Sequence, residues 1–402
     1  MRFDRADSST SSTRGGKPSL HGHPAHAPAL ARPRGASDDG GCRRLGPPWV
    51  ANYSAPTVDL RRRIRPADRR AFSDGAIVLS TSWIGSLMVD ETMLRAAGGT
   101  VRMRRNDTGM SEARTRILHV LEGIRLLWDA RRAKCLVVCS SMIEVLVVGA
   151  LRRLMAPRLK IIAFDFLLPD LNGAHALPAR LLRNFDHIAC IRSPDIEIIE
   201  RQTGADPRRM SFLAFPANPE LVDREAADDG YVYSGGNTQR DWDTLMAALA
   251  KAPTSVRAII STTAPIAVPA GMEDRVEVIG PVPPAQGREL VRRSSVVVLA
   301  HYDTDLAHGP LVLLDAMALG KPIVATATGG TIDYITDERT GIVVPPGDSD
   351  ALASALERLA SDPALRERLG RAARAECEQR LTPEAFTRQL IALVGELCEE
   401  ST

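Results

Sequence analysis

The sequence predicts two consecutive α/β domains, each built on a parallel β-sheet with helices on both faces. Its 402 residues are too many for one ordinary domain and suit two, at roughly 150 residues per domain. From Ala76 onward, short apolar runs alternate with helix-like stretches, a pattern typical of parallel sheets joined by helical connections. At residues 220–230 the chain turns acidic and loses apolar residues, so we predict the domain boundary there.

Residues 1–75 differ from the rest of the chain in composition. They are rich in Ser, Gly, Pro and Arg, carry 14 basic and 7 acidic side chains, and lack hydrophobic periodicity, so we predict a disordered basic extension. His21, His23 and His26 have no cysteine or carboxylate at ligand spacing, which favours a solvated tail over a metal site. Residues 76–402 carry 37 basic and 42 acidic side chains, which argues against nucleic acid as a partner.

The cysteine pattern and the hydropathy bear on the expected compartment. No two cysteines form a C-x-x-C pair, so we expect buried, reduced thiols and a cytoplasmic protein. No apolar run reaches about 18 residues, the length that a membrane-spanning helix needs. The first 30 residues lack the apolar core of a signal peptide.

The predicted first domain, residues 76–225, contains five strand-like runs, at 77–79, 135–139, 160–168, 186–191 and 210–215. A helix-like stretch to Ala97 is closed by Gly98-Gly99, and a second one at 142–155 is stopped by Pro157.

The predicted second domain, residues 226–380, repeats the alternation. Its strands are predicted at 231–234, 256–260, 276–279, 296–299, 323–325 and 342–344, and its helices at 242–250, 288–293, 311–319 and 350–360. The remaining segment, 381–402, is predicted to form a helix at 383–397 whose apolar stripe packs back across the domain junction.

Residues 308–333 (HGPLVLLDAMALGKPIVATATGGTID) form the most informative segment. They predict a loop, a helix that begins near Pro310, a strand and a glycine loop. Gly309 allows close approach of the backbone, and the free N–H groups at the helix N-terminus favour a bound anion such as a diphosphate. Asp315 lies further along the helix, where it could bind a ribose hydroxyl. An ordinary amphipathic helix is the alternative.

Beyond these local patterns, residues 311–348 resemble the donor-domain signature of retaining GT-B glycosyltransferases of the family-4 type, the glycosyl transferases group 1. The matching parts are LVLLDAMALGKPIVAT, GG and DYITDERTGIVVPPGD, followed by DALASALERLASDP. Upstream, VEVIGPVP at 276–283 and SGGNTQRDWDTL at 234–245 also fit. The resemblance implies two facing Rossmann-like domains, with the acceptor bound by the first and the sugar nucleotide by the second.

The resemblance also implies a set of donor-binding residues, which are Gly235, Gly236, Arg240, Val282, Gly309, Pro310, Leu311 and Asp315. Arg240 is the first candidate for a catalytic role, since a guanidinium can form paired hydrogen bonds to phosphate oxygens and stabilise the charge of the leaving diphosphate. The alternative is a surface arginine paired with Asp241 or Asp243.

The chain departs from the family pattern at the usual pair of glutamates and at the usual basic pair. Asp315 occupies the second glutamate position and Ala307 the first, while Gly236 stands where an arginine is common. Asp303, Asp305 and His308, in the loop before the helix, are candidates to supply the missing polar group.

In the first domain, Asp165 is predicted at the C-terminal end of a strand, where open α/β folds bind ligands, so it is a candidate catalytic residue that binds an acceptor hydroxyl or orients a sugar. It could also only cap the following loop. Ser82 and Trp83 follow the first strand and are candidate acceptor-binding residues, although a tryptophan in the core is an equal alternative.

Residues 113–134 predict an amphipathic helix with six basic and two acidic side chains. Its apolar residues, with Trp128 among them, could contact a membrane surface peripherally. We favour a helix that packs on the sheet and exposes a solvated basic face.

The resemblance implies transfer of a hexosyl group from a UDP- or GDP-sugar to a hydroxyl acceptor with retention of configuration. No cofactor beyond the donor is implied, and we predict no metal, since Asp303-Thr304-Asp305 has the letters of a D-x-D motif in a different fold context. Two alternatives stay open. One is a non-catalytic partner subunit that binds sugar nucleotides, motivated by Ala307 and Gly236, and the other is a GT-B sugar-nucleotide epimerase.

Overall fold

Two six-stranded, fully parallel β-sheets follow one another along the chain. The computed structural model describes residues 77–81, 89–103, 112–139, 142–164, 180–221, 225–304 and 310–399. The strands of the first sheet lie within the predicted range 76–225, and those of the second lie within 226–380. The predicted fold class, two Rossmann-like α/β units, is therefore confirmed.

The first sheet has the strand order β2-β1-β3-β4-β5-β6. The strands are β1 (Ile77–Thr81), β2 (Gly99–Met103), β3 (Cys135–Cys139), β4 (Lys160–Phe164), β5 (His187–Cys190) and β6 (Met210–Phe212). The helices are α1 (Glu91–Ala96), α2 (Glu112–Ala130), α3 (Met142–Met155) and α4 (Asp195–Thr203). Strands β3 and β5 are buried along their whole length, as apolar strands covered on both faces must be.

Strand β2 was not predicted. The prediction treats Gly98-Gly99 as a turn that ends the preceding helix, but only Gly98 adopts a turn conformation, with φ at 78°. Gly99 already belongs to β2 and pairs with Ile77 of β1. The two glycines obscured a strand whose side chains are partly polar.

The second sheet has the strand order β12-β11-β10-β7-β8-β9. Its strands are β7 (Tyr231–Gly235), β8 (Arg257–Ser261), β9 (Val276–Ile279), β10 (Val296–Leu299), β11 (Ile323–Thr326) and β12 (Ile342–Val344). Its helices are α5 (Trp242–Lys251), α6 (Pro284–Arg293), α7 (Leu311–Ala318), α8 (Ser349–Ser361) and α9 (Pro363–Arg380), and α10 (Pro383–Glu399) follows. Helix α9 was not predicted; β9, β10 and β12 have their predicted bounds, and the ends of the other elements shift by one to a few residues.

In the second sheet the chain reverses its direction of growth between β7 and β10, which is where open α/β sheets leave a crevice for ligands. In the first sheet the same point lies between β1 and β3. Ser82 and Trp83 come directly after β1 but fall outside the described residues.

Aromatic and polar contacts through α10 join the first half of the chain, which holds the first sheet, to the second half, which holds the second sheet. The ring of Phe164 in β4 lies 6.3 Å from that of Phe215 and 5.2 Å from that of Phe386 in α10, centroid to centroid. The backbone N–H of Asp90, at the start of α1, donates to Thr387 Oγ1 at 2.8 Å. The last helix therefore packs against elements of the first half. Among the helices described, none combines the length and the apolarity needed to cross a membrane.

Candidate functional site

The loop between β7 and α5 is held at both ends and turns tightly between them. Asn237 Oδ1 accepts hydrogen bonds from the backbone N–H of Thr263 at 2.7 Å and from the Thr262 hydroxyl at 3.0 Å. Gly236 has φ at 123°, and Gln239, with φ at 53°, is one of the few residues other than glycine in the left-handed region. Strain of this kind at the end of a strand is common where a loop is shaped for a ligand.

Arg240 lies beneath this turn with its guanidinium buried. Its side chain is 8% exposed, and neither Nε nor Nη1 meets a hydrogen-bond acceptor among the described residues. A Cβ atom at position 236 would lie 2.8 Å from Nε and 2.9 Å from Nη2, so the guanidinium occupies space that only a glycine leaves open. Burial lowers the pKa of Arg240 to about 10, so the side chain stays charged at neutral pH.

The alternative of a surface arginine paired with Asp241 or Asp243 is therefore wrong. Asp241 instead caps α5, where it accepts from the backbone N–H and the hydroxyl of Thr244 at 3.0 and 2.7 Å. A buried cation with unused donors is costly unless an anion completes it. The geometry thus fits an anion bound at the Gly236 turn.

Helix α7 faces the same space with its N-terminus. Pro310 stands at the N-cap, without a side-chain cap, and the helix begins at Leu311. The first N–H groups of a helix have no partner inside it, which makes this end favourable for an anion. Asp315 lies one turn further on, and burial raises its pKa to about 7, against the opposing effect of Arg288.

The Gly236 turn, α6 and α7 line one cavity of about 270 Å³. Of the predicted donor-binding residues, Gly235, Gly236, Val282, Leu311 and Asp315 line it. Typical ligand pockets have roughly 300–1,000 Å³, so this cavity suits one part of a larger ligand. It lies at the carboxyl ends of β7 and β8, beside α6 and α7.

Three predicted donor residues, Arg240, Pro310 and Gly309, are not among the residues that line the cavity, and no predicted first-domain site residue lies in the described part of the chain. Arg240 lies beside the cavity, against the Gly236 turn. Pro310 caps α7 beside the cavity rather than lining it. Gly309 lies outside the described residues, as do Asp165, Ser82, Trp83 and Ala307.

Several cavity residues were missed by sequence reasoning. Arg288 and Gly287 belong to the first turns of α6, which begins four residues earlier than predicted. Phe215, Pro216 and Asn218 follow β6 of the first sheet and form a further wall. No local motif could have identified that wall, since it depends on how the two halves meet.

Helix α2 differs from the favoured prediction. Its core face carries the buried His119, Leu126 and Leu127. On the opposite side Ile117, Val120, Leu121 and Trp128 are 61, 39, 55 and 58% exposed. The solvent side is therefore apolar as well as basic, and it is not the simple solvated basic face that was expected.

Comparison with known families gives one match, to the model of glycosyl transferases group 1, over residues 267–376. This range contains β9 to β12 and the α7 side of the cavity. It covers just over a quarter of the chain and ends before α10.

Curated relatives match about a quarter of the chain. A D-inositol 3-phosphate glycosyltransferase of Kribbella flavida is 38% identical over 103 residues, which are 26% of this chain and 24% of that protein. An alpha-D-kanosaminyltransferase of Streptomyces kanamyceticus is 36% identical over 99 residues, 25% of each chain. The matches thus span about a quarter of the length of these relatives.

Solved structures match over most of the chain. Anabaena Alr3699/HepE in complex with UDP and glucose has a TM-score of 0.55 at 17% identity, covering 80% of this chain and 99% of that one. Sucrose-phosphate synthase from Thermosynechococcus elongatus has a TM-score of 0.61 at 18% identity, covering 81 and 99%. At such identities the likeness shows the fold, which is GT-B.

Proposed function

We propose that the protein is a glycosyltransferase that transfers a hexosyl group from a UDP- or GDP-sugar to a hydroxyl acceptor, with retention and without a metal. The observation that carries the proposal is the buried guanidinium of Arg240, whose Nε and Nη1 lack acceptors at the Gly236 turn. The match to glycosyl transferases group 1 supports it from sequence.

In this proposal, Arg240 and the N-terminus of α7 hold the diphosphate from two sides. The acceptor oxygen forms a bond to the anomeric carbon as the bond from that carbon to the diphosphate oxygen breaks. The leaving oxygen receives the negative charge and takes the acceptor proton on the same face. Donors placed around the diphosphate before the reaction stabilise this charge most, because they need not reorganise.

Asp315 has a role in binding rather than in bond cleavage. It lines the cavity, and its carboxyl oxygens suit a pair of ribose hydroxyls. The wall at Val282 and Pro284 is apolar and suits the flat face of a base.

A donor screen tests the proposal. The full chain is mixed with UDP- and GDP-sugars, with and without a chelator, and both the thermal shift and the release of nucleotide are followed. We expect one donor to raise the melting temperature and release nucleotide slowly in the presence of chelator, and Arg240→Met to lose both effects. A folded protein that no donor stabilises would refute the donor site.

The same screen separates the alternatives. A donor that stabilises the protein but releases no nucleotide, even with acceptor mixtures, would favour the non-catalytic partner subunit. Conversion of the donor sugar without any acceptor would favour the epimerase.

We propose in addition that α2 contacts an anionic membrane surface. Its exposed apolar residues lie opposite its core face, and Arg131 stacks over the Trp128 ring at 4.0 Å. Residues 116–134 carry five basic and two acidic side chains, whereas residues 76–402 as a whole carry more acidic than basic ones. A basic, tryptophan-containing apolar face on an acidic body suits negatively charged lipid.

Vesicle sedimentation tests the membrane proposal. Phosphatidylcholine vesicles with added phosphatidylglycerol should pellet the wild-type protein, and high salt should weaken this binding. We expect Leu121→Ser to reduce pelleting about tenfold and Leu121→Met, which keeps an apolar side chain, to preserve it. Equal pelleting of both variants would count against the proposal, as would self-association through the same residues.

A further inference from the structure

The cavity wall that follows β6 presents an unused hydrogen-bond donor. Asn218 lines the cavity, and its Oδ1 accepts from the backbone N–H of Glu220 at 3.0 Å, which orients the amide. Its Nδ2 is shielded from solvent and has no acceptor among the described residues. Among the described residues that line the cavity, it is the side chain with a donor atom buried without an acceptor.

Two consecutive residues of the loop between β11 and β12 hold this wall and a neighbouring turn. The Tyr334 hydroxyl accepts from the backbone N–H of Phe215 at 3.1 Å and donates to the carbonyl of Ile191 at 2.8 Å. Asp333 accepts from the backbone N–H and the hydroxyl of Ser193 at 2.7 and 2.5 Å. The loop between β11 and β12 is thus hydrogen-bonded to the two segments that follow β5 and β6 of the first sheet.

These contacts are close and are shielded from solvent. Tyr334 is 2% exposed, so the backbone groups that it joins cannot turn to water when the hydroxyl is lost. On the same loop, a Cβ at Gly329 would lie 3.3 Å from Pro194 of the first half. The Tyr334 hydroxyl therefore helps to fix the position of Phe215, while the backbone N–H of Ala217, further along the same wall, donates to the Leu381 carbonyl at 2.7 Å.

We infer that Asn218 is a further ligand-binding residue of the donor cavity, and that Tyr334 is the positioning residue that holds it there. This inference rests on the proposed function, since the ligand is the nucleotide of the donor. The Asn218 amide donates to an acceptor oxygen or ring nitrogen of that nucleotide. One wall of the donor site is thus supplied by the segment that follows the first sheet.

The experiment measures nucleotide affinity by calorimetry with UDP, GDP, uridine and pyrophosphate as probes. Asn218→Asp keeps the oxygen that caps Glu220 but removes the amide donor, and we expect it to weaken the preferred nucleotide about tenfold. A loss shared with uridine assigns the bond to the nucleoside, and a loss shared with pyrophosphate assigns it to a phosphate oxygen. Affinity within twofold of wild type would overturn the role of Asn218.

A matched control for Tyr334→Phe is Thr203→Val, in the first half of the chain. The buried Thr203 hydroxyl also donates to one carbonyl, that of Ile199 at 2.6 Å, and accepts from one backbone N–H, that of Ala205 at 3.1 Å. We expect Tyr334→Phe and Thr203→Val to lower the melting temperature similarly, but only Tyr334→Phe to weaken nucleotide affinity. Equal affinities in the two variants would overturn the positioning role.

Hydrogen exchange separates this inference from the proposed function. Tyr334→Phe should speed deuterium uptake at residues 213–221 without any nucleotide present, and Thr203→Val should not. A wild-type protein that binds none of the probes would overturn the proposed function and the role of Asn218 together. Unchanged uptake in Tyr334→Phe would overturn the positioning role alone.

Discussion

The two ends of the second sheet each carry a cavity, of about 270 Å³ at the carboxyl ends of the strands and about 250 Å³ at the amino ends. Both are lined by charged residues, but the arginines at the two ends differ in whether their buried N–H donors have acceptors. At the amino ends Arg366 Nη1 donates to the Leu359 carbonyl at 2.6 Å and Nη2 lies 3.7 Å from Asp228. At the carboxyl ends Arg240 lies beside the cavity, and its Nε and Nη1 atoms have no acceptor in the part of the chain that the structure describes.

The lysine at the amino ends makes the same point. Lys321 is 4% exposed, and burial lowers its pKa to about 8, yet its Nζ donates to the carbonyls of Ala227 and Ser294. Both ends of the sheet thus contain a buried cation, so burial alone does not identify a ligand-binding site. What distinguishes the carboxyl end is a buried charge whose donors remain unused, which is the state that a ligand would complete.

The largest expected difference between the two ends of the sheet comes from replacing Arg240 and Arg366, one at a time, by methionine. Arg240→Met removes the proposed partner of the diphosphate, and we expect affinity for the preferred nucleotide to fall about a hundredfold. It also removes a buried charge without acceptors, so the free energy of unfolding of the nucleotide-free protein should rise by about 1 kcal/mol.

Arg366→Met should have the opposite pattern. It leaves the Leu359 carbonyl without its donor, so the free energy of unfolding should fall by about 1–2 kcal/mol while nucleotide affinity stays unchanged. Calorimetry and chemical denaturation of both variants measure the two quantities. A loss of stability in Arg240→Met as large as that in Arg366→Met would mean that both arginines are structural.

A smaller effect is expected from a single methyl group at the Gly236 turn. In Gly236→Ala the new Cβ would meet the guanidinium of Arg240, and φ at 123° is unfavourable for alanine. We expect nucleotide affinity to fall about tenfold as the guanidinium moves.

Gly230→Ala is the matched change at the amino ends. Gly230 has φ at 75°, and a Cβ there would lie 3.5 Å from Nη2 of Arg257, an ordinary contact distance. It should lower stability through backbone strain without changing nucleotide affinity. If Gly236→Ala also changes stability only, Arg240 does not depend on the glycine for its place at the ligand.

The sequence predicted the donor half well because local patterns determine its parts. Strands β9, β10 and β12 match their predicted bounds, since each is a short apolar run between turn signals. Gly235, Gly236 and Arg240 could be proposed because the resemblance of residues 234–245 to a known donor-domain segment is itself local. The burial of Arg240 could not, because it follows from the contact with the strand end at His301.

The rest depends on contacts between residues far apart in sequence. Asn218 gains its place at the cavity through residues more than a hundred positions later, since Tyr334 accepts from Phe215 and the Leu381 carbonyl accepts from Ala217. Likewise, the periodicity of α2 showed an amphipathic helix but not that Ile117 and Leu121 face away from the core. Hydrophobic periodicity identifies a face, whereas the packing of α3 and the sheet decides which face is covered.

The smallest predicted effect uses pH to compare one carboxyl group from each cavity. Burial raises the pKa of Asp315 from 3.8 to about 7. For Asp228, burial is outweighed by hydrogen bonds from Ser295 and the backbone N–H of Gly230, so its pKa is lowered. The folded state therefore binds the Asp315 proton more tightly than the unfolded chain does, and holds the Asp228 proton less tightly.

These shifts have opposite consequences for stability. Asp315 contributes a penalty that develops as pH rises from about 4 to 7 and is complete above 7, while Asp228 contributes stability that is present above its unfolded-state pKa of about 4 and is lost as pH falls below that value. We expect Asp315→Asn to stabilise the nucleotide-free protein by about 1 kcal/mol at pH 8 and by less at pH 5. Asp228→Asn should destabilise it at pH 8, with the difference from wild type closing in acid. Denaturant melts at several pH values measure both, and parallel pH profiles for the two variants would show that the two ends of the sheet hold their carboxyl groups alike.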